Sequence, residues 1–153
     1  MKLYLVQHAE AKSEKQDPER SLTPKGRMDA IRIAELAKKF DIEIDQIRHS
    51  GKTRARQTAG IFGQYLSAKD GIVESPGLGP VDDVKPIGDE ITNQDEQIML
   101  VGHLPFMERL VGYLITGDPD RKIVDFHNAG IVCLKHDKEG WAVDWIITPE
   151  MGI

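Results

Sequence analysis

The sequence has little of several features that would mark a specialised class of protein. It has one cysteine, Cys133, so no disulfide can form within the chain. No apolar run approaches the length needed to cross a bilayer, and the apolar stretch over residues 1–6 is too short for a signal peptide. The formal net charge is -5, so neither a nucleic acid nor an anionic membrane is an expected partner. We therefore expect a cytoplasmic protein.

Internal repeats and low-complexity tracts are also missing from the sequence. Hydrophobic residues make up 40% and charged residues 29% of the 153 positions, which is the balance of an ordinary globular protein. This length is enough to bury a core of its own. We expect one domain over residues 1–153.

Apolar runs alternate along the chain with patterns of helical period. Helix starts are marked by Thr23-Pro24 and by Pro105, because proline is favoured in the first turn of a helix. Strands are predicted over 2–6, 47–49 and 97–101. Helices are predicted to follow Thr23, Lys52 and Pro105. A hairpin is predicted over 131–134 and 141–147. The proline- and glycine-rich segment 75–89 is predicted to be a loop or lid. This alternation predicts a three-layer α/β/α fold with a mostly parallel central sheet.

Three chemically interesting segments follow predicted strands: Gln7-His8, Ser50 to Arg54, and Gly102-His103. Ligands of such sheets bind at the carboxyl ends of the strands. One histidine in such a position is more often structural, and one arginine is more often on the surface. Two histidines that follow two different strands favour a shared site, to which Arg54 would add a guanidinium near a helix start.

This mixture of side chains suits a phosphate. Phosphoryl transfer spreads negative charge over three oxygens, and catalysis is mostly positioning and charge stabilisation. A neutral imidazole at His8 could attack phosphorus, while Arg54 and His103 stabilise the phosphoryl oxygens. Their positive charge would also disfavour protonation of His8.

The residues do not support two other kinds of site. Gly51-Lys52-Thr53 has the end of a P-loop, but that motif needs a glycine five residues earlier, where the chain has Gln46. A metallohydrolase is not supported, because the histidines show no paired metal spacing and no carboxylates cluster with them. We expect no metal and no other cofactor.

Four motifs in order resemble the histidine phosphatase superfamily: Arg-His-Gly after a strand, Leu-Thr-x-x-Gly, Ser-x-x-x-Arg-Ala-x-Gln-Thr, and Gly-His-x-Pro. The matching stretches are Gln7 to Ala11, Arg20 to Gly26, Ser50 to Thr58 and Gly102 to Pro105. The short chain is similar to the SixA-type phosphohistidine phosphatase branch, and the fold implied is phosphoglycerate mutase-like. The resemblance implies that His8 is the phosphorylated nucleophile, with Arg54 and His103 in the phosphate pocket. The implied substrates are phosphohistidine-bearing proteins or another phosphomonoester.

The chain departs from the family pattern at Gln7 and Ala9, which stand where arginine and glycine are usual. Gln7 would bind substrate through its amide, but a neutral hydrogen bond contributes roughly 0.5–1.5 kcal/mol against ~1.5–3 for a charged one. Asp83 lies where the SixA-type pattern has a carboxylate and is a candidate proton donor, although an aspartate in such a loop is more often simply solvated. Two hypotheses remain: a phosphatase, favoured by His8, and an inactive module that binds phosphate or phosphoproteins, favoured by Gln7.

Overall fold

The computed structural model describes residues 1–151, and its centre is a six-stranded sheet. In chain order, the strands are β1 Lys2–Gln7, β2 Gln46–His49, β3 Ile72–Glu74, β4 Ile98–Gly102, β5 Ile131–Asp137 and β6 Gly140–Ile147. The helices are α1 Pro24–Lys39, α2 Thr53–Tyr65, α3 Lys85–Thr92 and α4 Phe106–Thr116. No helix within residues 1–151 combines the length and the apolar character that a membrane span requires.

The strand order is β3-β2-β4-β1-β5-β6. The first four strands in this order run parallel to one another, and the β5–β6 hairpin extends the sheet in antiparallel fashion from β1. β1 and β4 lie side by side in the middle, with Gln7 opposite Gly102 at their carboxyl ends. The residues that follow these two strands are therefore neighbours at one edge of the sheet.

Two hydrophobic clusters cover the two faces of the sheet. Helices α1 and α2 pack on the face that carries Tyr4, Val6 and Val101. Helices α3 and α4 pack on the face that carries Leu3 and Leu5. Every residue of β4 is buried, because this central strand is covered on both sides. The expectation of a three-layer fold with a mostly parallel sheet is confirmed.

Helix α1 begins as the sequence predicts. The Thr23 hydroxyl accepts a hydrogen bond from the Gly26 amide at 2.9 Å, and Pro24 occupies the first turn. A Cβ atom at position 26 would lie 2.2 Å from the carbonyl oxygen of Glu10. Glycine is thus required here, because the backbone just beyond His8 packs directly against this helix.

The prediction of a loop or lid over 75–89 is wrong in its second half. Helix α3 begins at Lys85, and Ile87 and Ile91 bury one side of it against α4. Proline is typical of loops, but Pro86 occupies the first turn of α3, where its missing amide hydrogen is not needed. The sequence analysis also did not predict β3, whose three residues are all partly or fully exposed.

Candidate functional site

The backbone of His8 is fixed from two sides. Its amide donates a hydrogen bond to the Gly102 carbonyl at 2.9 Å, which continues the contact between β1 and β4. The side-chain amide of Asn128 donates to the His8 carbonyl at 2.8 Å. Because both contacts come from distant segments, the imidazole leaves the end of β1 in a direction set by the fold.

One nitrogen of the His8 imidazole forms no hydrogen bond within residues 1–151. Its Nδ1 atom lies 2.7 Å from the carbonyl oxygen of Ala9, and only an N–H group can make a hydrogen bond to a carbonyl. We therefore assign the proton to Nδ1, which leaves a lone pair on Nε2. A histidine held in this tautomer presents a nucleophilic nitrogen.

Thr58 connects the residue after His8 to the second helix. Its hydroxyl accepts a hydrogen bond from the Ala9 amide at 2.9 Å and donates one to the Arg54 carbonyl at 2.8 Å. Ala9 is fully buried, and it is not among the residues with positive φ, so the methyl group in place of glycine introduces no backbone strain. Sequence reasoning gave Thr58 no role, although it ends the Ser50 to Thr58 motif.

His103 lies directly beside His8. The centroids of the two rings are 5.1 Å apart and their planes are inclined by 53°. His103 is 2% exposed, and its Nε2 atom lies 2.6 Å from the Ser50 hydroxyl. Its Nδ1 atom is buried and has no hydrogen-bond partner within residues 1–151. Ser50 is a further residue of the site whose contact the sequence analysis did not foresee.

Arg54 lies in the first turn of α2, next to the segment that carries Ser50. Its Nε atom is also buried and lacks a partner in the described part of the chain. The amides at a helix N-terminus carry partial positive charge and favour anions. The guanidinium of Arg54 and the N-terminus of α2 therefore both place positive charge at the site.

Burial and positive charge keep both imidazoles neutral. Burial lowers the pKa of His8 to about 4; the Ala9 carbonyl opposes this shift, while the charges of Arg54 and Arg20 add to it. Burial lowers the pKa of His103 to about 3, with further contributions from His8 and Arg54. Near neutral pH the site thus contains two uncharged imidazoles beside fixed cations, which suits an anionic ligand and an uncharged nucleophile.

The charge of Arg20 also acts on this site, a role that the sequence analysis did not assign to it. Its charge lowers the pKa of His8, Arg54 and His103 alike, although burial is the larger cause in each case. Its Nε atom donates to the Lys12 carbonyl at 2.9 Å, and its backbone has a positive φ of 52°. The only sequence signal was its place at the start of the Arg20 to Gly26 motif.

The side chains of two other predicted residues form no hydrogen bond with this group within residues 1–151. The Gln7 side chain is half-buried and forms no hydrogen bond within residues 1–151. The backbone carbonyl of Gln7 accepts a hydrogen bond from the Ala129 amide at 2.9 Å. Asp83 is exposed, and its carboxylate accepts a hydrogen bond from the Lys85 amide at 3.0 Å, at the start of α3. Gln7 adjoins His8 along the chain, whereas the Asp83 carboxylate is bonded to the amide of the first residue of α3.

The lowered pKa values predict how the free energy of unfolding depends on pH. Between pH 6.5 and about 4, unfolded histidine binds a proton that folded His8 does not, so the free energy of unfolding should fall as the pH is lowered through this window. Urea unfolding of the parent chain and of a His8→Asn variant at pH 6.5 and 5 would measure this effect. The variant should lose less stability between the two values, and equal losses would contradict the proposed burial of a neutral imidazole.

Comparisons with known proteins identify the family and the fold of the chain. The family model of the histidine phosphatase superfamily, branch 1, matches residues 3–79. This match includes the first three of the four motifs, together with His8 and Arg54. No curated protein matched the chain.

Solved structures extend the similarity over nearly the whole chain. The protein histidine phosphatase SixA, complexed with tungstate, is 23% identical and covers 97% of each chain with a TM-score of 0.86. A protein from Agrobacterium tumefaciens assigned as a SixA phosphohistidine phosphatase is 26% identical over 97% of each chain, with a TM-score of 0.78. A phosphoserine phosphatase from Entamoeba histolytica, in complex with 3-phosphoglyceric acid, is 16% identical over 95% of each chain, with a TM-score of 0.73.

Proposed function

The chain belongs to the histidine phosphatase superfamily, and from that membership we propose that it is a phosphatase that removes phosphate from phosphohistidine-bearing proteins. The observation that carries the proposal is the free Nε2 atom of His8, which lies beside a second neutral imidazole and near two arginines. A nucleophile surrounded by cations suits a phosphoryl group better than a neutral substrate.

In the first step, His8 takes the phosphoryl group. The lone pair on Nε2 attacks phosphorus and forms a P–N bond, while the P–N bond of the substrate breaks. The electron pair of that bond returns to the substrate ring, which leaves as neutral imidazole when its other nitrogen carries a proton. The hydrogen bond from Nδ1 to the Ala9 carbonyl stabilises the positive charge that develops on His8.

In the second step, water releases the phosphate. The water oxygen attacks phosphorus, the bond to Nε2 breaks, and its electron pair returns to His8. The water gives up its proton to solvent, and inorganic phosphate departs. Neither step, as proposed, draws on a metal ion or another cofactor.

Arg54 and His103 are proposed to bind the phosphoryl oxygens throughout. Each has a buried nitrogen without a partner in residues 1–151, and a buried polar group left in this state costs about 1–3 kcal/mol. If the Ser50 hydroxyl donates a hydrogen bond to Nε2 of His103, the proton of that ring lies on Nδ1. This N–H group can then donate a hydrogen bond to a phosphate oxygen. A bound phosphate would therefore relieve two unsatisfied groups at once.

The substrate class follows from the leaving group. Within residues 1–151, no carboxylate makes a hydrogen bond or salt bridge with His8, Arg54 or His103. An alcohol would leave with a negative charge and needs a proton donor, whereas imidazole leaves neutral. Asp83 could serve as that donor for a small phosphomonoester only if the segment before α3 brought it to the site. Phosphohistidine is thus the better substrate for the observed arrangement.

A second candidate is a module that binds phosphoproteins without turnover. The observation that favours it is Gln7, which stands where the family has an arginine next to the nucleophile. An amide cannot provide the charged, two-pronged contact that a guanidinium makes with a phosphoryl group.

One experiment separates the two candidates. A phosphohistidine-bearing protein labelled with radioactive phosphate would be incubated with the chain, and the label would be followed on both proteins and in solution. Phosphate release, with transient label on His8, is the expected result. Label that binds without ever being released would instead identify the binding module.

Replacing Gln7 by arginine should raise kcat/KM for the phosphohistidine protein by about 10-fold. The reason is the larger contribution of a charged hydrogen bond, which exceeds that of a neutral one by roughly 1–1.5 kcal/mol. The matched control is Gln64→Arg, at an exposed position near the end of α2 whose side chain forms no hydrogen bond within residues 1–151. An unchanged or lower kcat/KM in the Gln7 variant would show that position 7 does not contact the phosphoryl group.

A further inference from the structure

A cavity lies at the opposite end of the sheet from the candidate site. It has a volume of about 480 Å³, which is within the usual range for small-molecule sites. Lys2 and Gln97, which line it, lie where β1 and β4 begin, whereas His8 and His103 lie where these strands end. The phosphatase mechanism uses no residue of this cavity.

Three aromatic rings form much of the cavity wall. The Tyr4 and Trp145 ring centroids lie 6.0 Å apart at an angle of 47°. Phe40, at the end of α1, also lines the cavity and is 59% exposed. Aromatic faces carry partial negative charge, so a wall of this kind attracts cations as well as apolar groups.

Tyr4 provides a polar group without a partner. The residue lines the cavity and is only 3% exposed, and its hydroxyl forms no hydrogen bond within residues 1–151. Burial raises the pKa of this hydroxyl, and the nearby Cys133, Asp144 and Glu43 raise it further. The hydroxyl therefore stays protonated. Tyrosine hydroxyls usually find a hydrogen-bond partner, and because Tyr4 lines the cavity, a ligand bound there can supply one.

The charges around the cavity are predominantly negative. Asp41 and Glu43 line it and form no salt bridge in the described part of the chain. The one lysine of the wall, Lys2, is paired with Asp144 at 3.0 Å. A ligand that enters therefore meets two unpaired carboxylates, and a positive charge on the ligand would be favoured.

We propose that this cavity binds a small aromatic amine, with its ring among Phe40, Tyr4 and Trp145 and its ammonium group toward Asp41 and Glu43. Aromatic walls, a free hydroxyl and unpaired carboxylates together fit that class of ligand. The proposal concerns a second site, and it is independent of the phosphatase mechanism.

The test uses phenethylamine and its acidic counterpart 3-phenylpropionate as probes, since they share a ring and differ in the sign of their charge. The chain has two tryptophans, so a Trp141→Phe variant leaves Trp145 as the only fluorescence reporter. We expect phenethylamine to change this fluorescence with a Kd of about 0.1–10 mM, the range open to so small a ligand. Tyr4→Phe and Glu43→Gln should each raise the Kd about 3- to 10-fold. The indole N–H signal of Trp145 in the NMR spectrum of the unsubstituted chain provides the same readout.

Three results would overturn the proposal. The first is a fluorescence and NMR signal that does not saturate with phenethylamine. The second is equal binding of 3-phenylpropionate, because charge would then have no part in recognition. The third is self-association of the chain, detected by sedimentation and removed by Phe40→Ser, because a second copy would then be the natural occupant of this surface.

Discussion

Replacing His8 by alanine is expected to lower the release of phosphate from a phosphohistidine-bearing protein by at least about 10³-fold. The change removes the Nε2 lone pair that is proposed to attack phosphorus, and no other nucleophile is proposed in its place. Steady-state phosphate release would measure the loss. The same variant should show no protein-bound label in a rapid quench experiment.

The matched control is His136→Ala, the same substitution in the β5–β6 hairpin, where the ring stacks on Trp141. It should retain parental turnover. Circular dichroism and urea unfolding would show whether the His8 variant is folded. Full activity in a folded His8 variant would eliminate the nucleophilic mechanism, while leaving phosphate binding to be tested separately.

Replacing Arg54 by alanine should lower kcat/KM by about 10²–10³-fold, which is the usual cost of removing one group that stabilises a developing oxyanion. The cause is specific to position 54, because its Nε atom is buried beside the site without a partner in residues 1–151. Arg54→Lys should recover only part of the loss, since an ammonium keeps the charge but not the planar pair of donors.

Arg56→Ala removes the same charge two residues later in α2, and Arg56 is exposed. We expect less than a 3-fold effect from this control, as for an exposed and screened charge. Comparable losses at both positions would mean that only the net charge of α2 matters. In that case Arg54 would have no contact with the phosphoryl group.

Much of the fold could be predicted because its signals are local. Thr23 and Pro24 mark the start of α1 through capping chemistry that involves only residues next to them in the sequence. Residues 97–101 predicted β4 because they form a nearly continuous apolar run. The region of α3 was misinterpreted because Pro86 is both a loop signal and a first-turn signal, and eight residues give too few turns for a clear helical period.

The sequence predicts only those parts of the candidate site that follow from the order of strands and helices. His8 and His103 could be brought together from topology alone, because parallel strands end on the same side of a sheet. The contacts of Arg20 and Thr58 depend on how a loop and a helix pack in three dimensions. The hydrophobic periodicity of the sequence does not indicate such packing. Asn128 is another such residue, since its side chain reaches a backbone carbonyl 120 positions away.

The register between β1 and β4 has a consequence for the resting state of the protein. Adjacent strands lie about 4.8 Å apart, a spacing fixed by the backbone hydrogen bonds, and the 5.1 Å between the His8 and His103 rings closely follows it. The separation of the two imidazoles is therefore inherited from the main chain and does not require an incoming substrate to create it. Free and phosphate-loaded protein should show the same arrangement of these rings, and substrate preference can change through the surrounding loops without disturbing it.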